Sequence, residues 1–370
     1  MIIKHKITLR EQVGRVRLGL WSRLSISSKF KYLLQTNRLF LVEDVKDRIV
    51  KNGEKVSKSK IETSIRVHWW KEKNEFDDVT LVAQFIKTGS ALIDDKLSDL
   101  TGPLQALFRA KVWSKQNELA HVEYRLLYKQ SKDEEVYYLY DPIEEAKMGK
   151  IRLNRYIDWQ PHKVAHLLLS AKTGGGKTFL LNKIVREAMR ETSPENIYIC
   201  DGKQSDLKRY ARAMKLPNNA QSIDEIAHFV HLVNLRMQEL YSQDKKAEEP
   251  IFLVIDEYLA ISVYFEKDKK KAREVTNELL NILVLGRAAN VQVILASQSI
   301  RQESFGSSNM RSQFGVKILL GNATADEFKM AFDTPRKDSE MLKRAAGEGY
   351  ISIDNGEVML FERSNISDER

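Results

Sequence analysis

The sequence predicts an α/β chain. A parallel sheet flanked by helices fills residues 156–370, a small α+β domain precedes it at 61–155, and a basic segment occupies 1–60. Three observations predict this. Apolar strand-like runs alternate with amphipathic helical runs through the C-terminal part, the pattern of a doubly wound parallel sheet. One apolar run opens into a glycine turn and then a helix. Another ends in two adjacent carboxylates.

The glycine turn is Ala171-Lys172-Thr173-Gly174-Gly175-Gly176-Lys177-Thr178. It lies between the apolar run 164–169 and the amphipathic run 178–190, the strand–loop–helix context that a phosphate-binding loop requires. Consecutive glycines let the backbone curl so that successive N–H groups point into one concavity. The helix that follows adds the positive end of its dipole. Thr173, Gly174, Gly175, Gly176, Lys177 and Thr178 are therefore the expected ATP-binding residues. Lys177 reaches the β- and γ-phosphates, and the Thr178 hydroxyl is an expected Mg²⁺ ligand. Ala171 stands where the motif has its first glycine, and alanine fits there if the position keeps a negative φ.

The second run, Ile251-Phe252-Leu253-Val254-Ile255-Asp256-Glu257, is continuously apolar, as a strand buried on both faces must be. Its carboxyl end is where open α/β sheets bind ligands. Asp256 is expected to hold Mg²⁺ together with Thr178. Glu257 is expected to orient and deprotonate the attacking water.

Other candidate strands lie at 196–200, 291–296 and 315–320. A terminal pair, 349–353 and 358–362, is joined at Asp354-Asn355-Gly356. In the preceding domain, 64–70, 79–85 and 120–126 read as strands. Residues 104–113 read as a helix with Pro103 at its start, and the lysine-rich 51–60 reads as a loop.

Charge separates the segments further. Residues 1–60 hold 15 Lys+Arg against 5 Asp+Glu, whereas the chain as a whole carries only +9. The basic excess is thus N-terminal and suits a polyanion, DNA or an acidic membrane surface. Leu9, Val13, Val16, Leu20 and Leu24 recur at helical spacing among Arg10, Arg15, Arg17 and Arg23. That fits a helix docked on a partner or on its own domain, or one lying at an interface. No window approaches the ~20 apolar residues of a membrane span, and no signal-peptide core is present. The single Cys200 excludes a disulfide framework and fits a reducing cytoplasm.

With these pieces placed, the chain resembles the FtsK/SpoIIIE/HerA group of DNA-translocating ATPases. More narrowly, it resembles the TcpA-type coupling ATPases of Gram-positive conjugative plasmids and integrative elements. Besides the glycine turn and its tryptophan-containing lead-in at 159–166, several segments match in order. Asp201-Gly202-Lys203-Gln204-Ser205-Asp206-Leu207 is similar to D-P-K-x-x-D-L. Residues 252–260 match F-L-V-x-D-E-Y-x-A, Leu285-Gly286-Arg287-Ala288-Ala289 matches L-G-R-x-A, and Ile294-Leu295-Ala296-Ser297-Gln298 matches I-L-A-x-Q. Residues 309–314 resemble I-R-D-Q-F. Gly202 replaces the usual proline, and Ser299 stands where many members have Arg-Pro.

The resemblance implies a RecA-like P-loop ATPase domain that works as a homo-oligomer, a hexameric ring. Gln298 is then a sensor of the γ-phosphate or the attacking water, although a polar strand end would look the same. Arg311 is favoured as a finger reaching a neighbour's γ-phosphate. Arg287 competes for that role, or caps its helix instead. Asp201 and Lys203 serve either the site or an ion pair between subunits. The run 265–273, with Lys267, Lys269, Lys270 and Lys271, and the segment 304–308 are candidate channel loops; the first reads equally as a solvated charge run. The function implied is ATP-driven movement of DNA in conjugative transfer or upkeep of a mobile element, with relaxase and conjugation-channel proteins as partners. The alternative is an ATP-gated adaptor that delivers a relaxase–DNA complex without moving DNA itself. The family's N-terminal membrane segments and C-terminal winged helix find no match. The expected location is cytoplasmic, with recruitment to the membrane by a partner.

Overall fold

The computed structural model describes residues 5–7, 25–51, 54–74, 76–130, 136–264, 268–300, 308–335 and 345–367. The helical pattern at 9–24 lies outside these residues, as do most of 304–308 and the start of 265–273. The chain divides into two units, Met1–Asp133 and Glu134–Arg370.

The first unit is an antiparallel α+β body. Strands β1 (His5–Ile7), β4 (Arg66–Lys73), β5 (Val79–Ile86), β7 (His121–Lys129) and β6 (Val112–Asn117) form one sheet in the order β1-β4-β5-β7-β6. Helices α1 (Ile26–Thr36), α2 (Ala91–Asp94) and α3 (Thr101–Phe108) accompany it. Ser25 caps α1, its hydroxyl accepting from the Ser28 N–H at 3.2 Å. Phe30, Leu33 and Leu34 recur at helical spacing on α1 and pack with Trp69, Phe85, Phe108 and Tyr124 in one core. The helix expected through residue 113 stops at Phe108, because Arg109 turns to φ +53 and the chain re-enters the sheet.

Two sequence expectations differ here. Strands β2 (Phe40–Lys51) and β3 (Glu54–Ser64) pair over the stretch read as a loop, with Lys51 opposite Glu54. The intervening Asn52-Gly53 is the pair that tight hairpins favour; polarity alone does not exclude a strand. The division of the chain also falls at neither 60 nor 155. Part of the basic segment supplies Phe30, Leu33 and Leu34 to the first core, and residues 136–138 pair into the second unit.

The second unit is built on an eight-stranded sheet. Its strands are β13 (Asn218–Asn219), β12 (Ile197–Asp201), β14 (Ile251–Asp256), β15 (Val291–Ser297), β11 (Leu167–Ala171), β16 (Val316–Leu320), β17 (Glu348–Ile353) and β18 (Met359–Glu362), in that order across the sheet. The first six pair in parallel; β17 pairs antiparallel with β16, and β18 antiparallel with β17. Every residue of β11, β14, β15 and β16 is buried, which explains why these strands are mostly apolar. Alternate residues sort to two faces. Leu168, Leu253, Ile255, Val293 and Leu295 face α6 (Ile223–Ser242) and α8 (Lys269–Ala289) in one core. On the other set, Phe252 meets Trp159 of the short β9–β10 ribbon (Ile151–Arg152, Asp158–Trp159), ring centroids 6.5 Å apart.

Helix α4 (Lys177–Ala188) follows β11 and is buried at nine consecutive positions, Leu180 to Ala188. Its charged side chains are partnered within the unit. Lys183 Nζ donates to the Leu153 carbonyl at 3.1 Å and to Ser364 Oγ at 2.9 Å. Arg186 donates to the Tyr137 hydroxyl and to the carbonyls of Asp141 and Pro142, and Tyr137 in turn donates to Glu187. These bonds strap β8 (Val136–Tyr138) onto the helix, and β19 (Asn365–Ser367) pairs parallel with it. Helices α5 (Asp206–Ala213), α7 (Tyr258–Tyr264), α9 (Ser308–Ser312) and α10 (Ala325–Phe332) complete the unit. In the terminal hairpin, Asp354 and Asn355 both take positive φ, and the Gly356 N–H donates to the Ile353 carbonyl at 3.0 Å.

Candidate active site

The register fixes the location of the site. Ala171, Asp201, Asp256 and Ser297 end neighbouring strands at the same carboxyl edge: Asp201 lies opposite Asp256, and Asp256 opposite Ala296. Strand β15 lies between β11 and β14, so the glycine turn and the paired carboxylates flank the residue after Ser297, which is Gln298.

A cavity of about 530 Å³ opens at this edge, and Lys172, Thr173, Gly174, Gly176, Lys177, Thr178, Asp256 and Gln298 all border it. Gly174 and Gly176 sit at φ +77 and +90, where a side chain would be strained. Gly175 keeps an ordinary φ but is crowded instead: a Cβ there would lie 2.9 Å from the Lys172 carbonyl oxygen. Ala171 is not among the positive-φ residues, so its methyl group is accommodated without strain.

Lys177 pairs with Asp256 and lies 3.7 Å from Glu257 Oε2. Lys203 closes the cluster at 3.1 Å from the same Glu257 oxygen. All but Lys203 are largely buried, so the two ammonium groups offset the two carboxylates in a place where isolated charges would be costly. Burial raises the Asp256 carboxyl above the ordinary carboxylate range, and the Lys177 ammonium opposes that shift. Glu257 itself holds φ +58, a backbone state that costs a β-carbon-bearing residue about 1 kcal/mol. It is locked there by its N–H donating to the Ala296 carbonyl at 2.8 Å and by the Gln298 N–H reaching Oε1 at 3.4 Å. The strain aims a carboxylate back across the strand ends toward Lys177.

Asp201 is fully committed to its own loop: it accepts from the N–H groups of Lys203, Ser205 and Lys208 and so fixes the start of α5. Of the two open readings for this pair, only Lys203 reaches the site within the chain. Gln298 is exposed on the cavity rim. Arg311 does not border the cavity; its Nη1 donates to the Ile300 carbonyl at 2.6 Å. Arg287 is exposed in the last turn of α8, which leads into the amino end of β15, opposite the strand ends that carry the site.

The sequence reading missed several residues that border the cavity, Arg363 and Asn182 among them. Arg363 lies with its guanidinium 5.3 Å from the Phe179 ring, and its Nε lacks a hydrogen-bond partner. The approach depends on Gly347 at φ +86, where a Cβ would meet Arg363 Nε at 2.4 Å. Gly347 also donates its N–H to the Gly175 carbonyl at 2.9 Å, tying β17 to the glycine turn. Asn182 lies on α4, one turn beyond Thr178. Nothing in the spacing of either residue marks it; only the folded C-terminal hairpin and the close packing of α4 bring them to the site.

No protein-family profile matches the chain. Among curated proteins it is similar to the FtsK domain-containing protein YdcQ of Bacillus subtilis, 25% identical over 347 residues, spanning 90% of this chain and 68% of the relative. It is also similar to the DNA translocase FtsK of Streptococcus agalactiae, 22% identical over 374 residues, and to that of Streptococcus pneumoniae, 24% over 210 residues. The chain spans 42% and 26% of the length of those two translocases. Among solved structures, the pCW3 conjugation coupling protein TcpA, monomer form with ATPγS, aligns with a TM-score of 0.51 at 16% identity, over 81% of this chain and 89% of the other. A phosphate-binding loop facing a paired-carboxylate strand on this sheet order gives the chain the fold of a P-loop ATPase, and in sequence it is similar to FtsK-type proteins.

Proposed function

We propose that the chain is a motor that couples ATP hydrolysis to the movement of DNA in conjugative transfer or the upkeep of a mobile element. The observation that carries the reading is the Lys177–Asp256–Glu257–Lys203 cluster at the mouth of the glycine turn. DNA enters through the relatives, two of which are DNA translocases.

In this reading Gly174, Gly175 and Gly176 cradle the phosphates with main-chain N–H groups, and Lys177 leaves Asp256 to meet the β- and γ-phosphates. Freed of the lysine, Asp256 joins Thr178 as an oxygen donor for Mg²⁺; hydroxyl and carboxylate at one cavity wall fit such a hard cation. When bound, the ion neutralises charge that develops on the phosphates. Glu257 takes the proton of the attacking water, Lys203 holding its carboxylate in place, and Gln298 reports the state of the γ-phosphate across the strand ends. The chain acts as a homo-oligomer, a hexamer, in which Arg311 or Arg287 completes a neighbour's site. Relaxase and channel proteins are its partners in the cell.

The test is ATP turnover with and without DNA. Wild type is expected to be stimulated by DNA. Lys177→Ala is expected to lose nucleotide binding. Glu257→Gln is expected to bind ATP yet hydrolyse it roughly 10²–10⁴-fold more slowly. Turnover of Glu257→Gln at the wild-type rate would remove the glutamate from its role. Stimulation by a relaxase but never by DNA alone would turn the reading to an adaptor.

A further inference from the structure

Lys172 belongs to the glycine turn by its backbone and to a neighbouring helix by its side chain. Its carbonyl accepts the Gly175 N–H at 2.9 Å and so closes the turn. Its Nζ lies 3.0 Å from Glu327 Oε2, in the first turn of α10. Lys177 and Lys203 pair with Asp256 and Glu257 inside the site. Lys172 is instead drawn to a carboxylate that does not border the nucleotide cavity, although Lys172 itself does. It stands on the divide between that cavity and a small crevice lined by Ser299, Leu320, Asn322 and Glu327.

The two partners differ in freedom. Glu327 is held by a capping box: its Oε2 accepts the Thr324 N–H at 2.8 Å, and its own N–H donates to Thr324 Oγ1 at 3.2 Å. The next residue, Phe328, is buried against Tyr350, ring centroids 5.1 Å apart. Burial opposes charge on the Glu327 carboxyl, but the Thr324 N–H and Lys172 outweigh it and hold it below the ordinary carboxylate range. Lys172 is more than half exposed, on a flexible stem. The anion is therefore fixed and the cation mobile. An ion pair this exposed is worth no more than about fivefold in an equilibrium constant. That is too little to brace the turn, and the several charges of a nucleotide's phosphates attract the same lysine more strongly than one carboxylate does.

We propose that Glu327 is a positioning residue that holds Lys172 away from the empty cavity and yields it to the phosphates when nucleotide enters, an inference that rests on the ATPase reading of that cavity. Glu327 touches no nucleotide. It acts by giving the lysine a second partner, so binding must first break the Lys172–Glu327 pair, and release of product re-forms it. Glu327 thus weakens the grip on nucleotide and favours release. The capping box stays intact throughout, because it needs Thr324 and not the lysine. The exchange moves one side chain and leaves α10 folded.

The experiment is calorimetric titration of the full chain with ATPγS, for wild type, Glu327→Gln, Lys172→Ala, the double variant and Lys177→Ala. Glutamine still completes a capping box, so Glu327→Gln removes the charge and keeps the fold. It is expected to tighten ATPγS about two- to fivefold, the worth of the pair that it removes. Lys172→Ala is expected to weaken ATPγS about threefold or more, through loss of a charged phosphate contact. The double variant is expected to match Lys172→Ala within about twofold, because Glu327 acts only through the lysine. Weaker or unchanged binding by Glu327→Gln would overturn the inference; weakening by both single variants would make the pair a brace. It would also fall if Glu327→Gln tightened binding as much in the absence of Lys172 as in its presence. If Lys177→Ala binds ATPγS as tightly as wild type, the reading of the cavity as an ATP site fails first. Loss of binding in Lys177→Ala with no effect of Glu327→Gln would keep that reading and remove this inference alone.

Discussion

Glu257 depends on Gly202, a residue with no side chain. The Gly202 N–H donates to the Asp256 carbonyl at 2.9 Å, and a Cβ at 202 would meet the Glu257 carbonyl oxygen at 2.6 Å. Crowding of that kind forces the backbone to move, and here the backbone is the left-handed turn that aims the glutamate. Gly202→Ala is therefore expected to lower the turnover number about tenfold with little change in KM for ATP, since a small misplacement of the base costs the chemical step and spares binding. An unchanged turnover number in steady-state assays would show that the site tolerates a shift of Glu257. Read in the sequence, Gly202 was a departure from the proline of similar chains. Its N–H explains why proline is absent, since proline has none to donate, and the crowding explains the glycine. That Lys177 and Asp256 meet in one site was legible because residue type and spacing suffice to place them. The strain at Glu257 was not, because it comes from hydrogen bonds made by neighbouring strands.

At the scale of elements, β11 is held at its amino end by a buried histidine. His166 at φ +60 accepts the Val293 N–H on Nδ1 at 3.0 Å, and its Nε2 lies 2.9 Å from the Leu283 carbonyl, so it ties together the entrance to β11, strand β15 and helix α8. An Nδ1 that accepts leaves the proton on Nε2, which donates; only the neutral ring can do both. Burial pushes its pKa down to about 4. The unfolded chain, with an ordinary value near 6.5, therefore binds the proton first as the pH falls. Stability from this group is complete above about pH 6.5 and is lost as the pH falls toward about 4, by about 2 kcal/mol at pH 5. Urea melts of wild type and His166→Asn at pH 7.5 and 5 check this: the substitution is expected to remove that part of the pH dependence. Equal slopes for the two proteins would contradict it. The seven main strands of the second unit were legible because each is a predominantly apolar run. Yet β11 begins at Leu167 rather than at 164, since His166 takes a conformation that no pattern of hydrophobicity records. The β2–β3 pair and the β8–β19 pair escaped notice for a related reason: they are short or polar, and no apolar period announces them.

At the scale of the molecule, the two arginines stand in different settings. Arg311 is bound to the Ile300 carbonyl, and Arg287 is exposed on α8. A finger in trans must reach the next subunit, so the oligomer is where they are tested. Arg311→Ala is expected to lose most hydrolysis while keeping ATP binding. Mixed with Lys177→Ala, which lacks its own site but keeps its arginine, it is expected to recover part of the activity, as an intact glycine turn then faces an intact finger. Recovery with Arg287→Ala and none with Arg311→Ala would move the role to Arg287. The absence of recovery in either mixture, although mixed oligomers form, would end the case for a finger in trans. The domain plan was the least legible part of the chain. A basic stretch reads as an appendage, whereas Phe30, Leu33 and Leu34 within it are core residues of the first unit.

The pairing of β8 with β19 bears on how the chain is made. Ser367 accepts the Leu139 N–H at 3.1 Å, and Leu139 is part of the wall around the nucleotide cavity. On a ribosome the glycine turn emerges early, but the strand that steadies this wall is synthesised on the order of ten seconds or more after it, at ~5–20 residues per second. A nascent chain thus carries a complete phosphate loop beside an unfinished wall. Full closure of the cavity wall therefore waits for β19.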